Sequence, residues 1–149
     1  MSEYDEQESM ILDALDRFLE SEAKPFVHEL EKNDIYPEDM VEKMKAMGLF
    51  GCIIDPEYGG LGLSTATYAK IVERISCTWM SLSGIINSHL IMASAIQRHG
   101  TPAQKERFLP RMASGELRGA VGFTEPDAGT DLQAIRTTEI GRASCRERV

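Results

Sequence analysis

The stretch Met80-Ser-Leu-Ser-Gly-Ile-Ile-Asn-Ser-His-Leu-Ile-Met-Ala-Ser-Ala-Ile-Gln-Arg-His99 is apolar on nearly every face of a helix, through Leu82, Ile85, Ile86, Leu90, Ile91, Met92 and Ile96. A helix of that kind is expected to be buried on most sides, so it is read as the centre of an all-α domain. The neighbouring elements are placed outward from it. Gly100 suits a left-handed C-terminal cap, and Thr101-Pro102 offers an N-cap and a first helical residue for a helix from Ala103 to about Met112. Toward the N-terminus, a helix begins near Ser64 and runs through Tyr68, Ile71, Val72 and Ile75. Ahead of it, Asp55-Pro-Glu-Tyr-Gly-Gly-Leu-Gly62 holds three glycines and a proline, which requires an irregular loop. Pro37 opens a helix whose face carries Met40, Val41, Met44 and Met47, ending at Gly48, and the methionines there read as core packing. Ser2 and Asp5 offer caps for a first helix with apolar Ile11, Leu15, Phe18 and Leu19, extending to Pro25. The sum is a bundle of five or six helices over residues 1–115.

Composition restricts the function classes. The chain has 149 residues, 42% of them hydrophobic, and a net charge of −8 from 24 acidic and 16 basic residues. A nucleic-acid surface needs Lys and Arg gathered on one face, so nucleic acid is not an expected partner. No run of about 18 uninterrupted apolar residues marks a transmembrane segment, and the acidic opening lacks a signal-peptide core, so a cytoplasmic protein is expected. Cys52 and Cys77 have no His or Cys spaced as metal ligands and read as buried thiols, and His28, His89 and His99 are scattered. No metal site is predicted, and His89 reads as a core histidine with its hydrogen bonds satisfied.

Past Gly115 the pattern changes. Gly119-Ala-Val-Gly-Phe-Thr-Glu-Pro-Asp-Ala-Gly-Thr-Asp131 reads as a strand of small residues, Gly119 to Thr124, broken at Pro126 into a glycine-containing turn, with a second strand at roughly Leu132 to Thr137. Gly119, Ala120 and Gly122 leave the backbone bare enough for a flat ligand, and Gly129 can take positive φ. Turn amides with the Thr124 and Thr130 hydroxyls form a concavity that suits an anion such as a pyrophosphate. The same residues also suit plain turn chemistry.

Thr124-Glu-Pro-Asp-Ala-Gly-Thr-Asp131 resembles the Thr-Glu-Pro-x-Ala-Gly-Ser-Asp signature of acyl-CoA dehydrogenases, with Thr130 keeping the hydroxyl of the usual Ser. Asp55-Pro-Glu-Tyr-Gly-Gly-Leu-Gly-Leu-Ser64 and His99-Gly-Thr-Pro-Ala-Gln-Lys-Glu-Arg-Phe-Leu-Pro-Arg-Met-Ala-Ser-Gly115 resemble the same family, and the similarity runs from about Asp5 to Thr138. The resemblance implies a helical N-terminal domain over 1–115, followed over 116–138 by the first strands of an incomplete β-barrel domain. It also implies FAD as cofactor, an acyl-CoA substrate oxidised to trans-2-enoyl-CoA by α-proton abstraction and β-hydride transfer, electrons passed to electron-transfer flavoprotein, and a homotetrameric parent. Val121, Phe123 and Thr124 would lie along the flavin ring, Gly129 and Thr130 further along it. Thr130 would also touch the acyl-CoA. Ser83 and Asn87, on the helix that borders the family's acyl pocket, would face the substrate tail or else bond between helices.

The family's catalytic carboxylate belongs to a C-terminal helical domain, so no residue here is assigned as the base. Glu125 is expected to anchor its own turn. Acyl-CoA oxidases and nitroalkane oxidases share the architecture and are the rival enzymes; a non-catalytic helical module is the rival of another class. Residues 139–149, Glu139-Ile-Gly-Arg-Ala-Ser-Cys-Arg-Glu-Arg-Val149, resemble the translation of a sequencing-library adaptor and are expected to be an artefactual tail on a truncated, inactive chain.

Overall fold

The computed structural model describes residues 3–138, with side chains from Glu8 onward; the expected Ser2 cap and the tail 139–149 lie outside the described residues. Six α-helices carry the fold: α1 (Glu3–Phe18), α2 (Val27–Lys32), α3 (Glu38–Ala46), α4 (Thr65–Thr78), α5 (Met80–His99) and α6 (Pro102–Ala113). Sequence periodicity explains their faces. Leu12, Leu15, Phe18 and Leu19 recur on one side of α1 and its extension and are buried with Met40, Val41 and Met44 of α3, Ile71 and Ile75 of α4, and Leu82, Ile86 and Leu90 of α5. The methionines at 40 and 44 are core residues, as their spacing predicts.

Capping chemistry fixes the boundaries. The Ser64 side chain accepts the Thr67 N–H at 3.1 Å and starts α4. Thr101 and Gln104 form a reciprocal capping box at α6, with Thr101 N–H on Gln104 Oε1 at 2.8 Å and Gln104 N–H on Thr101 Oγ1 at 3.3 Å. The first helix reaches Pro25 only by widening. Residues Leu19–Ala23 form a π-helical turn, in which Lys24 N–H reaches back to Leu19 O at 2.9 Å.

A second, smaller cluster joins Ile54, Ala93 of α5, and Leu109, Met112 and Ala113 of α6. The short apolar segment after Gly48 links the two clusters: it folds as a 3₁₀ turn (Leu49–Gly51) whose fully buried Leu49 and Phe50 belong to the first, and it reaches the second at Ile54. The glycine-rich loop that follows is held by α5: Gln97 Oε1 accepts the Asp55 N–H at 2.9 Å, and Gln97 Nε2 donates to Ile53 O at 3.4 Å.

Four expectations are corrected. The central helix α5 buries one face only, because α4, α6 and the 3₁₀ turn cover that side alone; Met80 is 72% and Ile91 49% exposed. Gly100 is extended (φ −68°, ψ 148°) rather than left-handed, and it is a glycine because a Cβ there would stand 2.5 Å from Ile96 O. Cys77 is exposed, on the outer side of α4, whereas Cys52 is buried as expected. No strand forms among the described residues: 119–124 carries no regular secondary structure and pairs with no other segment, and Leu132–Ala134 is a 3₁₀ turn.

Candidate functional site: the segment from Gly119 to Thr137

Beyond Gly115 the chain stays on α6 through Leu117, whose N–H donates to Arg111 O at 3.0 Å, and it is next anchored at Gly119. His89 is fully buried in α5, and its ring packs against Phe50 at 5.1 Å between centroids. Its Nδ1 accepts the Gly119 N–H at 3.2 Å. Its Nε2 lies 3.0 Å from Phe50 O and 3.1 Å from Met112 O. Carbonyl oxygens only accept and the Gly119 amide only donates, so the ring is the neutral tautomer with hydrogen on Nε2. Burial pushes the histidine below its ordinary range, in keeping with that neutral form. Next to it, the Arg118 guanidinium lies 5.7 Å from the Tyr36 ring centre and donates to the Tyr36 hydroxyl.

Gly119 is bare for a protein reason. A Cβ there would meet Met92 Cβ and Cγ at 2.8 Å, so the backbone is pressed against α5 and no ligand can use that space. Gly122 is different, with nothing within 4 Å of the position its Cβ would take. Of the residues predicted to contact a flavin, Val121 is half-buried while Phe123, Thr124, Gly129 and Thr130 are exposed.

The turn beyond is closed by its own backbone. Glu125 N–H donates to Ala128 O at 2.8 Å and Ala128 N–H to Glu125 O at 3.2 Å, across Pro126 and Asp127. The Glu125 carboxylate reaches past this turn to the returning chain, where it accepts the Arg136 and Thr137 amides at 2.9 Å each and the Thr137 hydroxyl. These bonds, the Arg136 amide foremost, hold its pKa below the usual carboxylate range. Glu125 thus clasps the segment 136–137 rather than only its own turn. Asp131 caps the turn Leu132–Ala134 by accepting the Gln133 N–H at 3.1 Å. Gly129 does not take positive φ, yet among the described residues neither its amide nor that of Thr130 has a partner, and the Thr130 hydroxyl has none.

Asn87 lies elsewhere. It lines an open groove of about 480 Å³ with Ser64, Tyr68, Ile91, Ser94 and Arg98, and none of residues 121–130 lines that groove. Its Oδ1 accepts the Tyr68 hydroxyl of α4, the interhelical bond that was the alternative to substrate contact. Ser83 bonds within its own helix, donating to Met80 O at 2.8 Å. Sequence reasoning placed His89 in the core but not on Gly119, and it missed Gln97 altogether. Both act through backbone groups 30 or more residues away, for which no local pattern exists. Among the described residues no group of three or more His, Cys, Asp or Glu could hold a metal ion, and no helix is long and apolar enough to cross a membrane.

The family model described as acyl-CoA dehydrogenase, N-terminal domain, matches residues 5–116. The chain is 35% identical to acryloyl-CoA reductase (NADH) of Anaerotignum propionicum, over 90% of this chain and 34% of that protein. It is also 35% identical to the short-chain specific acyl-CoA dehydrogenase of Clostridium acetobutylicum, over 90% of this chain and 36% of that one. A chain in the solved structure of the electron transferring flavoprotein of Acidaminococcus fermentans superposes with a TM-score of 0.80 at 33% identity, over 90% of this chain and 35% of that chain. The chain spans about a third of the length of these relatives.

Proposed function

The chain belongs to the acyl-CoA dehydrogenase family through its N-terminal domain, and from that premise we propose that it supplies the helical domain (1–115) and the flavin-contacting opening of the middle domain (116–138) of an FAD-dependent acyl-CoA dehydrogenase. The observation that carries this reading is the run from Val121 to Thr130, in which Gly122, Phe123, Thr124, Gly129 and Thr130 are exposed and Ala128 is buried, and whose Gly129 and Thr130 amides and Thr130 hydroxyl have no protein partner among the described residues. The Glu125 carboxylate ties this turn to residues 136–137, and the exposed amides at its tip can exchange water for an anionic ligand. The open space at Gly122 permits the face of a flat ring to approach, with Val121, Phe123 and Thr124 beside it.

The chemistry supplied by bound FAD is two-electron acceptance, which takes an acyl-CoA to a trans-2-enoyl-CoA. The chain's own residues bind and orient. Thr124 offers a hydroxyl to the polar side of the ring, and Thr130 offers its amide and hydroxyl to the cofactor and the thioester substrate. Asn87, whose Oδ1 is taken by the Tyr68 hydroxyl, is left out of the substrate contacts. The Glu125 carboxylate is occupied by the Arg136 and Thr137 amides and is not assigned as the base that takes the α-proton; the resemblance to the family implies a base from a C-terminal helical domain. Electron-transfer flavoprotein as acceptor, a homotetrameric parent and a cytoplasmic location complete the reading. The acceptor is supported by the likeness to a chain in the flavoprotein structure.

A second direction is favoured by one relative: acryloyl-CoA reductase (NADH) works on an acrylate thioester, so the same contacts would serve reduction of the carbon–carbon double bond. Both directions need the flavin. The chain incubated with excess FAD and passed through gel filtration is expected to carry visible flavin absorbance in the protein peak. A fully helical chain that elutes without flavin overturns the assignment to this polypeptide and favours the non-catalytic helical module.

A further inference from the structure

We propose that His89 is a positioning residue for the flavin-contacting segment: its neutral ring is the joint that fixes where residues 119–124 leave the helical bundle. The inference rests on the proposed role of that segment, but the geometry is independent of it. Three chain elements meet at one imidazole: the Phe50 carbonyl of the 3₁₀ turn and the Met112 carbonyl near the end of α6, both on Nε2, and the Gly119 amide on Nδ1. The first two are parts of the core. The third is the first backbone anchor after Leu117, whose amide donates to Arg111 O at 3.0 Å, and among the described residues the next backbone anchor is Glu125. Val121, Phe123 and Thr124 therefore hang between His89 and the clasped turn, and their placement is inherited from both.

The joint holds only in one protonation state. A proton on Nδ1 turns that atom from acceptor to donor and sets it against the Gly119 N–H, so the segment loses its anchor while the core bonds at Nε2 persist. Arg118 is the charged group that faces the ring, from the segment itself, and it disfavours the imidazolium; the 3₁₀ turn and α6 present Phe50 and the Met112 carbonyl, which carry no charge. Burial acts in the same direction. With the folded pKa depressed, docking is complete above the ordinary histidine range and is lost as pH falls through the folded value.

The test uses the chain without added cofactor, so a failure here is separate from a failure to bind flavin. Nitrogen-15 histidine NMR is expected to show His89 with hydrogen on Nε2 at neutral pH. As His89 titrates, protection of the Gly119 amide, corrected for intrinsic exchange, is expected to fall about tenfold or more relative to α4 amides. His89→Leu is expected to lack that pH step and to show low Gly119 protection throughout. Hydrogen on Nδ1 at neutral pH, or Gly119 protection that follows α4 through the titration, overturns the proposal. Should His89→Leu fail to fold, the two wild-type measurements decide alone.

Discussion

Gly119 lies against Met92 so closely that a Cβ on the glycine would stand 2.8 Å from the Cβ of the methionine. The root of the Met92 side chain cannot swing away, so Gly119→Ala must move backbone. We expect a loss of about 1–3 kcal/mol in unfolding free energy or an undocked segment, read by denaturant titration and amide exchange. Gly122→Ala meets no atom within 4 Å and should leave stability unchanged while lowering FAD affinity. Equal effects of the two substitutions would contradict this division between a packing glycine and an approach glycine.

Thr130→Val keeps the β-branched shape and removes the hydroxyl. One lost hydrogen bond corresponds to roughly 0.5–1.5 kcal/mol, so FAD should bind about two- to thirteenfold more weakly, measured by flavin fluorescence titration. Unaltered affinity would remove Thr130 from the contact set.

The Glu125 clasp has a defined pH window. Its pKa is depressed by the Arg136 amide first and by Thr137, so the clasp is complete above the ordinary carboxylate range and opens as pH falls through the lower folded value. The Arg136 and Thr137 amide resonances should shift together in that acid window and not near neutrality. Glu125→Gln should abolish the titration and weaken the protection of both amides.

The two described cysteines should react at very different rates. Cys77 is exposed on α4, whereas burial pushes the Cys52 thiol up to about 12. Maleimide at neutral pH should modify the Cys77 peptide within minutes and the Cys52 peptide only in denaturant, as read by peptide mass spectrometry. Early modification of Cys52 would show that the loop around it opens readily.

Helices α1 and α3 to α6 were legible because each is decided by residues three to seven positions apart, whereas the short α2, with no buried residue to mark a face, was not read and Gly100 was given the wrong cap. Ser64 and the Thr101–Gln104 pair are both visible in a single turn of sequence. The strands after Gly119 were not, since a strand is defined by its partner and 119–124 finds none. Burial around α5 was overestimated because hydrophobic residues on Met80 and Ile91 positions describe a helix, not the number of neighbours packed on it. Cys77 failed for the same reason. In the candidate site, the hydroxyl and glycine pattern pointed to the correct stretch, but whether a glycine is open (Gly122) or filled by Met92 (Gly119) depends on contacts made across the fold.

The two apolar clusters close with Ala113, and no residue between Gly119 and Thr137 belongs to either. That separation orders events at the ribosome. Gly119 follows Ala113 by six residues, roughly 0.3–1.2 s at ordinary elongation rates, whereas helical bundles rich in local contacts fold in microseconds to milliseconds. The surface formed by His89, Met92 and Met112 is thus finished before Gly119 emerges, and the signature segment is delivered onto a ready-made template instead of taking part in its assembly.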